Sequence, residues 1–197
     1  MTDVPALFDE LSVLRRGHFV LSSGKHSDTY LQCQLALQRP DVALDLGRAL
    51  ALRLGEEGVD GIDVVASPAL GGILAGFAVA AALGVRFVFS ERKGGPDGRA
   101  MVFRRGQRVD EGERVLVVED VVTTGGSAME VVRLCEEAGA KVVGTASIVD
   151  RSAGLAAHER PAIPPVALLS VEAQAWEPED CPRCAAGEPV DSPGSRR

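Results

Sequence analysis

Residues 115–127 read Val115-Leu116-Val117-Val118-Glu119-Asp120-Val121-Val122-Thr123-Thr124-Gly125-Gly126-Ser127. An apolar, β-branched run predicts a buried strand over 114–118, and it ends in two adjacent carboxylates. A Thr-Thr-Gly-Gly-Ser turn then enters a helix over 126–137. Glycines let successive backbone N–H groups converge on one point, and a helix N-terminus adds partial positive charge. The hydroxyls of Thr123, Thr124 and Ser127 add donors, so the turn reads as a cradle for a phosphate monoester. No Gly-Lys-Ser/Thr follows, which excludes a Walker loop. Glu119 and Asp120 would repel a bare phosphate. They fit a ligand that also offers hydroxyls, as a ribose 5-phosphate does, or a metal. The competing reading is a solvated strand end followed by an N-capped helix start.

Outward from this stretch, strands are predicted over 62–66, 85–90, 141–149 and 165–171. Helices are predicted from Arg39-Pro40-Asp41 to the glycines at 55–58 and over 73–83. Strands alternating with helices imply an α/β fold with a mainly parallel sheet, whose ligands bind beyond the carboxyl ends of the strands. The N-terminal part is less regular. Leu7, Leu11 and Leu14 predict an amphipathic helix over 3–16, and residues 18–22 and 29–35 read as extended.

The chain has 197 residues, which bounds it to one domain with additions. Net charge is −7, a poor match to general nucleic-acid or membrane-surface binding. Aromatics are only 4%, which argues against single-strand binding by base stacking. No stretch of 18 apolar residues and no signal-peptide pattern is present, so a cytoplasmic protein with reduced thiols is expected.

With these residues in view, the chain resembles the type I phosphoribosyltransferases. The acidic pair and Thr-Thr-Gly-Gly-Ser resemble their phosphoribosyl diphosphate (PRPP) signature. The stretch Gly17-His18-Phe19-Val20-Leu21-Ser22-Ser23-Gly24-Lys25-His26-Ser27-Asp28-Thr29-Tyr30 resembles the N-terminal segment of the orotate-specific branch. Ser67-Pro68-Ala69-Leu70-Gly71-Gly72-Ile73 is similar to its diphosphate loop, and Val149-Asp150-Arg151 to its orotate-binding segment. Cys181-Pro182-Arg183-Cys184 with Pro193-Gly194-Ser195-Arg196 is similar to the tail of one bacterial and archaeal group.

The resemblance implies a hood over 1–38, an α/β core over 39–172 and a tail over 173–197. It implies transfer of ribose 5-phosphate from PRPP to orotate, with Mg²⁺ held mainly through PRPP and no protein ligand assigned to it. PRPP would be bound by Glu119, Asp120, Val121, Val122, Thr123, Thr124, Gly125, Gly126 and Ser127, with Ala69, Leu70, Gly71 and Gly72 on the diphosphate. Orotate would meet Thr123, Arg151, Tyr30 and Lys25. Arg151 also has its own rationale, because a guanidinium grips a carboxylate bidentately; the alternative is an ion pair with Asp150 or Glu172. A purine-type phosphoribosyltransferase and a non-catalytic PRPP-sensing regulator are the competing functions.

Residues 92–108 carry Arg92, Lys93, Arg99, Arg104, Arg105 and Arg108 against one acid, Asp97. Gly94-Gly95-Pro96-Asp97-Gly98 breaks regular structure, and cations on such a loop fit a lid over a diphosphate. A hairpin paired with the acidic surface is the alternative. By resemblance the lid, 91–105, acts on the neighbouring subunit of a homodimer, with Lys93, Arg92 and Asp120 as the catalytic set. The better-known bacterial members carry lysines at the positions of Ser22 and Gly71, and one position often aromatic in them is Leu31 here. For the cysteines, Cys181 and Cys184 supply two of the four ligands structural zinc needs. Cys33 and Cys135 stand alone, and His18, His26 and His158 show no metal spacing, so a turn-forming dithiol is expected. Trp176 is read as a tail anchor.

Overall fold

The computed structural model describes residues 3–21, 23–93 and 100–193. Strands β3 (Val64–Pro68), β4 (Arg86–Arg92), β5 (Met101–Phe103), β6 (Arg114–Val122), β7 (Lys141–Asp150) and β8 (Val166–Ser170) form one sheet in the order β5-β4-β3-β6-β7-β8. Every pairing is parallel except that of β4 with β5. Helices α3 (Pro40–Glu56), α4 (Gly72–Leu83) and α5 (Gly126–Glu137) cover it.

The unbroken apolar run of β6 follows from burial on both faces. Leu116 and Val118 point into the core built with Leu46, Leu50 and Leu54 of α3 and Val79 of α4. Val115 and Val117 point the other way, onto Ala128, Val131, Val132 and Cys135 of α5. Each such aliphatic side chain, fully removed from water, contributes about 1.5–3 kcal/mol.

β6 extends four residues beyond the predicted strand. Its pairing with β7 continues through Val121↔Val149 and Val122↔Asp150, so Glu119 and Asp120 lie within the strand.

A second sheet joins the two ends of the chain. β1 (Leu14–Val20) pairs antiparallel with β2 (His26–Leu31), and β2 with β9 (Ala175–Trp176). The N-terminal expectations need correction. Helix α1 stops at Glu10, the backbone turns at Ser12 with φ 53°, and Leu14 opens β1. Leu7, Leu11 and Leu14 all pack on the core, but from two elements, which imitates a single helical stripe. The extended stretch at 29–35 ends at Leu31, and Gln34–Leu37 forms the short helix α2. β5 and β9 were not predicted; three and two residues carry too little alternation to read. Short helix α6 (Pro182–Ala185) closes the tail.

Ser22, Gly94–Arg99 of the lid and the Gly-Ser-Arg of the tail lie outside the described residues. Among the described residues no helix is long and apolar enough to cross a membrane.

Candidate active site

From β3 the chain passes through α4 to β4 on one side. From β6 it passes through α5 to β7 on the other. The connections therefore diverge between the carboxyl ends of β3 and β6, and such a switch point opens a ligand crevice. The loop after β3 and the turn after β6 face each other there.

The β3 loop is held by its backbone. Ala69 N–H donates to the Ser90 carbonyl at 2.8 Å, and Ile73 N–H to that of Leu70 at 3.2 Å. The Ala69–Leu70 peptide is cis, and the Leu70 side chain is 84% exposed. Gly71 sits directly on Asp120: a Cβ there would stand 2.7 Å from Oδ1. Gln34 Nε2 donates to the Gly71 carbonyl at 3.3 Å, and the Gln34 side chain also hydrogen-bonds Asp120. Sequence reasoning missed Gln34; a lone glutamine in a short helix carries no motif.

Burial pushes the carboxyl of Glu119 up to about 7, the charge of Asp120 adds to this, and the Ala128 N–H in the first turn of α5 holds it back. Burial also raises Asp120, opposed by hydrogen bonds from backbone N–H groups and Gln34. Two half-buried, adjacent acids suit a ligand that brings hydroxyl donors or a cation to them.

In the turn itself, Gly125 has φ 73° at the N-cap of α5, and a Cβ there would meet Pro161 at 2.6 Å. Only glycine satisfies both conditions. The turn opens onto a cavity of about 1120 Å³ between the core and the second sheet. Thr123, Thr124, Arg151, Tyr30 and Lys25 all line it, so the four residues expected at the base come together. Trp176 lines it as well, which corrects its reading as a tail anchor; β9 brings it there by pairing with His26. Leu31 and Trp176 thus share this wall, and an indole supplies an aromatic face.

Arg151 is the distinctive wall. Its N–H donates to the Val122 carbonyl at 2.8 Å, which fixes it beside the turn. Its Nε is buried with no hydrogen-bond partner among the described residues. Burial lowers its pKa, with the charge of Asp28 working against this. The alternative ion pairs are not formed: Asp150 Oδ1 instead accepts from the Ser152 N–H at 2.7 Å. Elsewhere Tyr30 donates to Gln32 Oε1 at 2.9 Å, and Lys25 pairs with Glu177 at 3.1 Å.

Arg92 and Lys93 do not line this cavity. Arg92 pairs with Glu130 of α5 at 2.9 Å, Arg105 with Glu91 at 3.2 Å and Arg108 with Asp110 at 2.7 Å. Lys93 is exposed at the end of the β4–β5 hairpin, its N–H donating to Ala100 at 2.9 Å. Arg92 and Arg105 of the 91–105 segment, and Arg108 just beyond it, are therefore each tied to an acidic neighbour in this conformation.

A phosphoribosyl transferase domain matches residues 36–178. An orotate phosphoribosyltransferase of Pelotomaculum thermopropionicum is 46% identical over 99% of this chain and 97% of its own. One of Chlorobium phaeobacteroides is 46% identical over 96% and 93%. The crystal structure of orotate phosphoribosyltransferase from Aeropyrum pernix superposes with TM-score 0.67 at 24% identity, covering 85% of this chain and 93% of that one. With the predicted parallel sheet, the crevice and its residues in place, the chain belongs to the orotate phosphoribosyltransferase family.

Proposed function

We propose that the chain transfers ribose 5-phosphate from PRPP to orotate, giving orotidine 5′-monophosphate and diphosphate for pyrimidine synthesis, and that the base sits in the cavity walled by Arg151. The observation that carries this is the buried Arg151 Nε without a partner. A half-buried guanidinium at a cavity wall with its Nε donor unused suits an anion, and the orotate carboxylate is one. Thr123, Tyr30 and Lys25 complete the wall.

Next to it, the backbone and hydroxyls from Thr123 to Ser127 hold the 5′-phosphate, while Glu119 and Asp120 accept from the ribose hydroxyls. Residues 69–72 offer backbone groups to the diphosphate. Mg²⁺ fits this site by its donor chemistry, hard carboxylate oxygens facing a phosphate cradle. It would be held mainly by PRPP oxygens and water, with Glu119 and Asp120 as the acidic groups beside it. When bound, it supplies positive charge against the diphosphate. The carbon–oxygen bond to diphosphate breaks as the base nitrogen bonds to the anomeric carbon. The lid, 91–105 with Lys93 and Arg92, neutralises the leaving group and keeps water out. Hood, core and tail correspond to 1–38, 39–172 and 173–197. A homodimer in which each lid serves its neighbour, acting in the cytoplasm, completes the reading.

The test is loss of orotate absorbance with PRPP and Mg²⁺, against uracil and hypoxanthine. Turnover of orotate alone, requiring both PRPP and Mg²⁺, supports the assignment. Turnover of hypoxanthine instead would move the chain to the purine-type activity. PRPP binding with no turnover of any base would leave a sensor.

A further inference from the structure

The expectation that Cys181 and Cys184 lack further metal ligands fails in three dimensions. Val20 pairs with His26, and the register of β1 shifts between Arg16 and Phe19; within that irregular stretch His18 brings its Nε2 to 2.9 Å from His26 Nδ1, so the two rings share one face of the hairpin. The tail brings Cys181 and Cys184, at either side of the α6 turn, onto that face. His18 Nε2, His26 Nδ1 and the two Sγ atoms all lie within 4.8 Å of one another. Two residues distant by more than 150 positions from the pair supply the missing half of the set, which is why spacing alone could not find it.

We propose that His18, His26, Cys181 and Cys184 bind a structural zinc ion that clamps the tail onto the N-terminal hairpin. Four observations carry it. The donor set, two thiolates and two imidazoles, is the Cys₂His₂ set zinc takes in closed sites.

The spacing is close to that of such a site. Around zinc, bonds of about 2.0–2.1 Å to nitrogen and 2.3 Å to sulfur put neighbouring donor atoms of a tetrahedron about 3.3–3.8 Å apart. Here two sulfur–nitrogen separations, 3.4 and 3.7 Å, fall in that range, while the third, 3.2 Å, and the nitrogen–nitrogen separation, 2.9 Å, are shorter, so binding would part those atoms by a few tenths of an ångström.

The tautomer is set for ligation. His18 Nδ1 lies 3.0 Å from the Glu188 carbonyl, so its proton resides there and Nε2 keeps its lone pair. Finally, His18, His26 and Cys181 are buried, and only Cys184 is exposed, so the donors are shielded yet reachable from one side.

Binding forms four metal–ligand bonds and releases the two thiol protons, leaving a neutral centre. The tail is then fixed to β1 at both ends of one segment: by the metal at 181 and 184, and by the Asp191 N–H to the His18 carbonyl at 2.8 Å and the Val20 N–H to the Asp191 carbonyl at 2.9 Å. Between the two histidines, Leu21, Ser23, Gly24 and Lys25 line the cavity, so the clamp holds a stretch of its wall.

The test is metal analysis of the full chain produced in zinc-replete medium and purified without chelator. We expect about one zinc per chain, and less than about a tenth of that in Cys184→Ser, whose exposed position leaves the fold intact by circular dichroism. Cobalt(II) exchanged into the chelated wild type should give the visible bands of a tetrahedral thiolate site. Its melting temperature should rise as zinc is added back. Should Cys184→Ser fail to fold, His26→Asn and the cobalt spectrum answer the same question. Purified protein without zinc whose melting temperature ignores added zinc would overturn the proposal, and so would zinc retained in both variants. None of these readouts depends on the transferase activity.

Discussion

Gly71 and Asp120 stand face to face: any side chain at 71 must displace the carboxylate or the β3 loop, because a Cβ would approach Oδ1 to 2.7 Å. Gly71 has φ −55°, which any residue adopts, so the glycine answers to space and not to backbone freedom. Gly71→Ala should therefore fold normally yet push Asp120 or the loop aside. A displacement near 1 Å at reacting groups costs about 100-fold in rate, and a loss of that order in kcat/KM for PRPP is expected. Steady-state kinetics alongside a thermal melt checks it. Unchanged kinetics would mean that Asp120 swings away without consequence.

Glu119 gives the ligand-free protein a pH signature. Its carboxyl moves from an ordinary 4.5 in the unfolded chain to about 7 in the folded one. The folded state thus holds this proton across that window, so the contribution of Glu119 to stability is fully present below pH 4.5 and is lost as pH rises through 7. The full loss amounts to about 3 kcal/mol. Glu119→Gln keeps an acceptor for the Ala128 N–H but removes the ionisation. It should match the wild type near pH 5 and be the more stable protein at pH 8, when melted without PRPP or metal. Parallel melting curves at both pH values would show that Glu119 ionises freely.

The lid makes a prediction about subunits. Lys93→Ala should lower kcat by about 100-fold through lost charge at the leaving group, with PRPP affinity little changed. If each lid serves its neighbour, mixing Lys93→Ala with Arg151→Ala chains creates hybrids with one intact site. About a quarter of wild-type activity should return, since half the dimers are hybrids with half their sites intact. Activity that stays at the level of the parents would place lid and cavity on the same chain.

The core was legible because β6 and α5 declare themselves through unbroken Val/Leu burial and a 3.6-residue stripe; α5 spans Gly126–Glu137 as predicted. The turn between β6 and α5 was legible because its glycines and hydroxyls are contiguous. What escaped was long-range. Trp176 and Gln34 reach the site through β9 pairing and a side-chain bridge, neither of which leaves a periodic trace. His18 and His26 meet the tail cysteines only after the chain ends converge on one small sheet. At 3–16, leucines from a helix and a strand shared one core and counterfeited a single helix.

The most direct test of the account is Arg151→Ala, read on both substrates. With Arg151 and its buried, unpartnered Nε gone, orotate loses its carboxylate partner while the 123–127 turn stays whole. The account predicts a fall in kcat/KM for orotate of about 100-fold or more, with PRPP binding by calorimetry unchanged. Orotate turnover that survives the substitution intact would contradict it and would move the base out of this cavity.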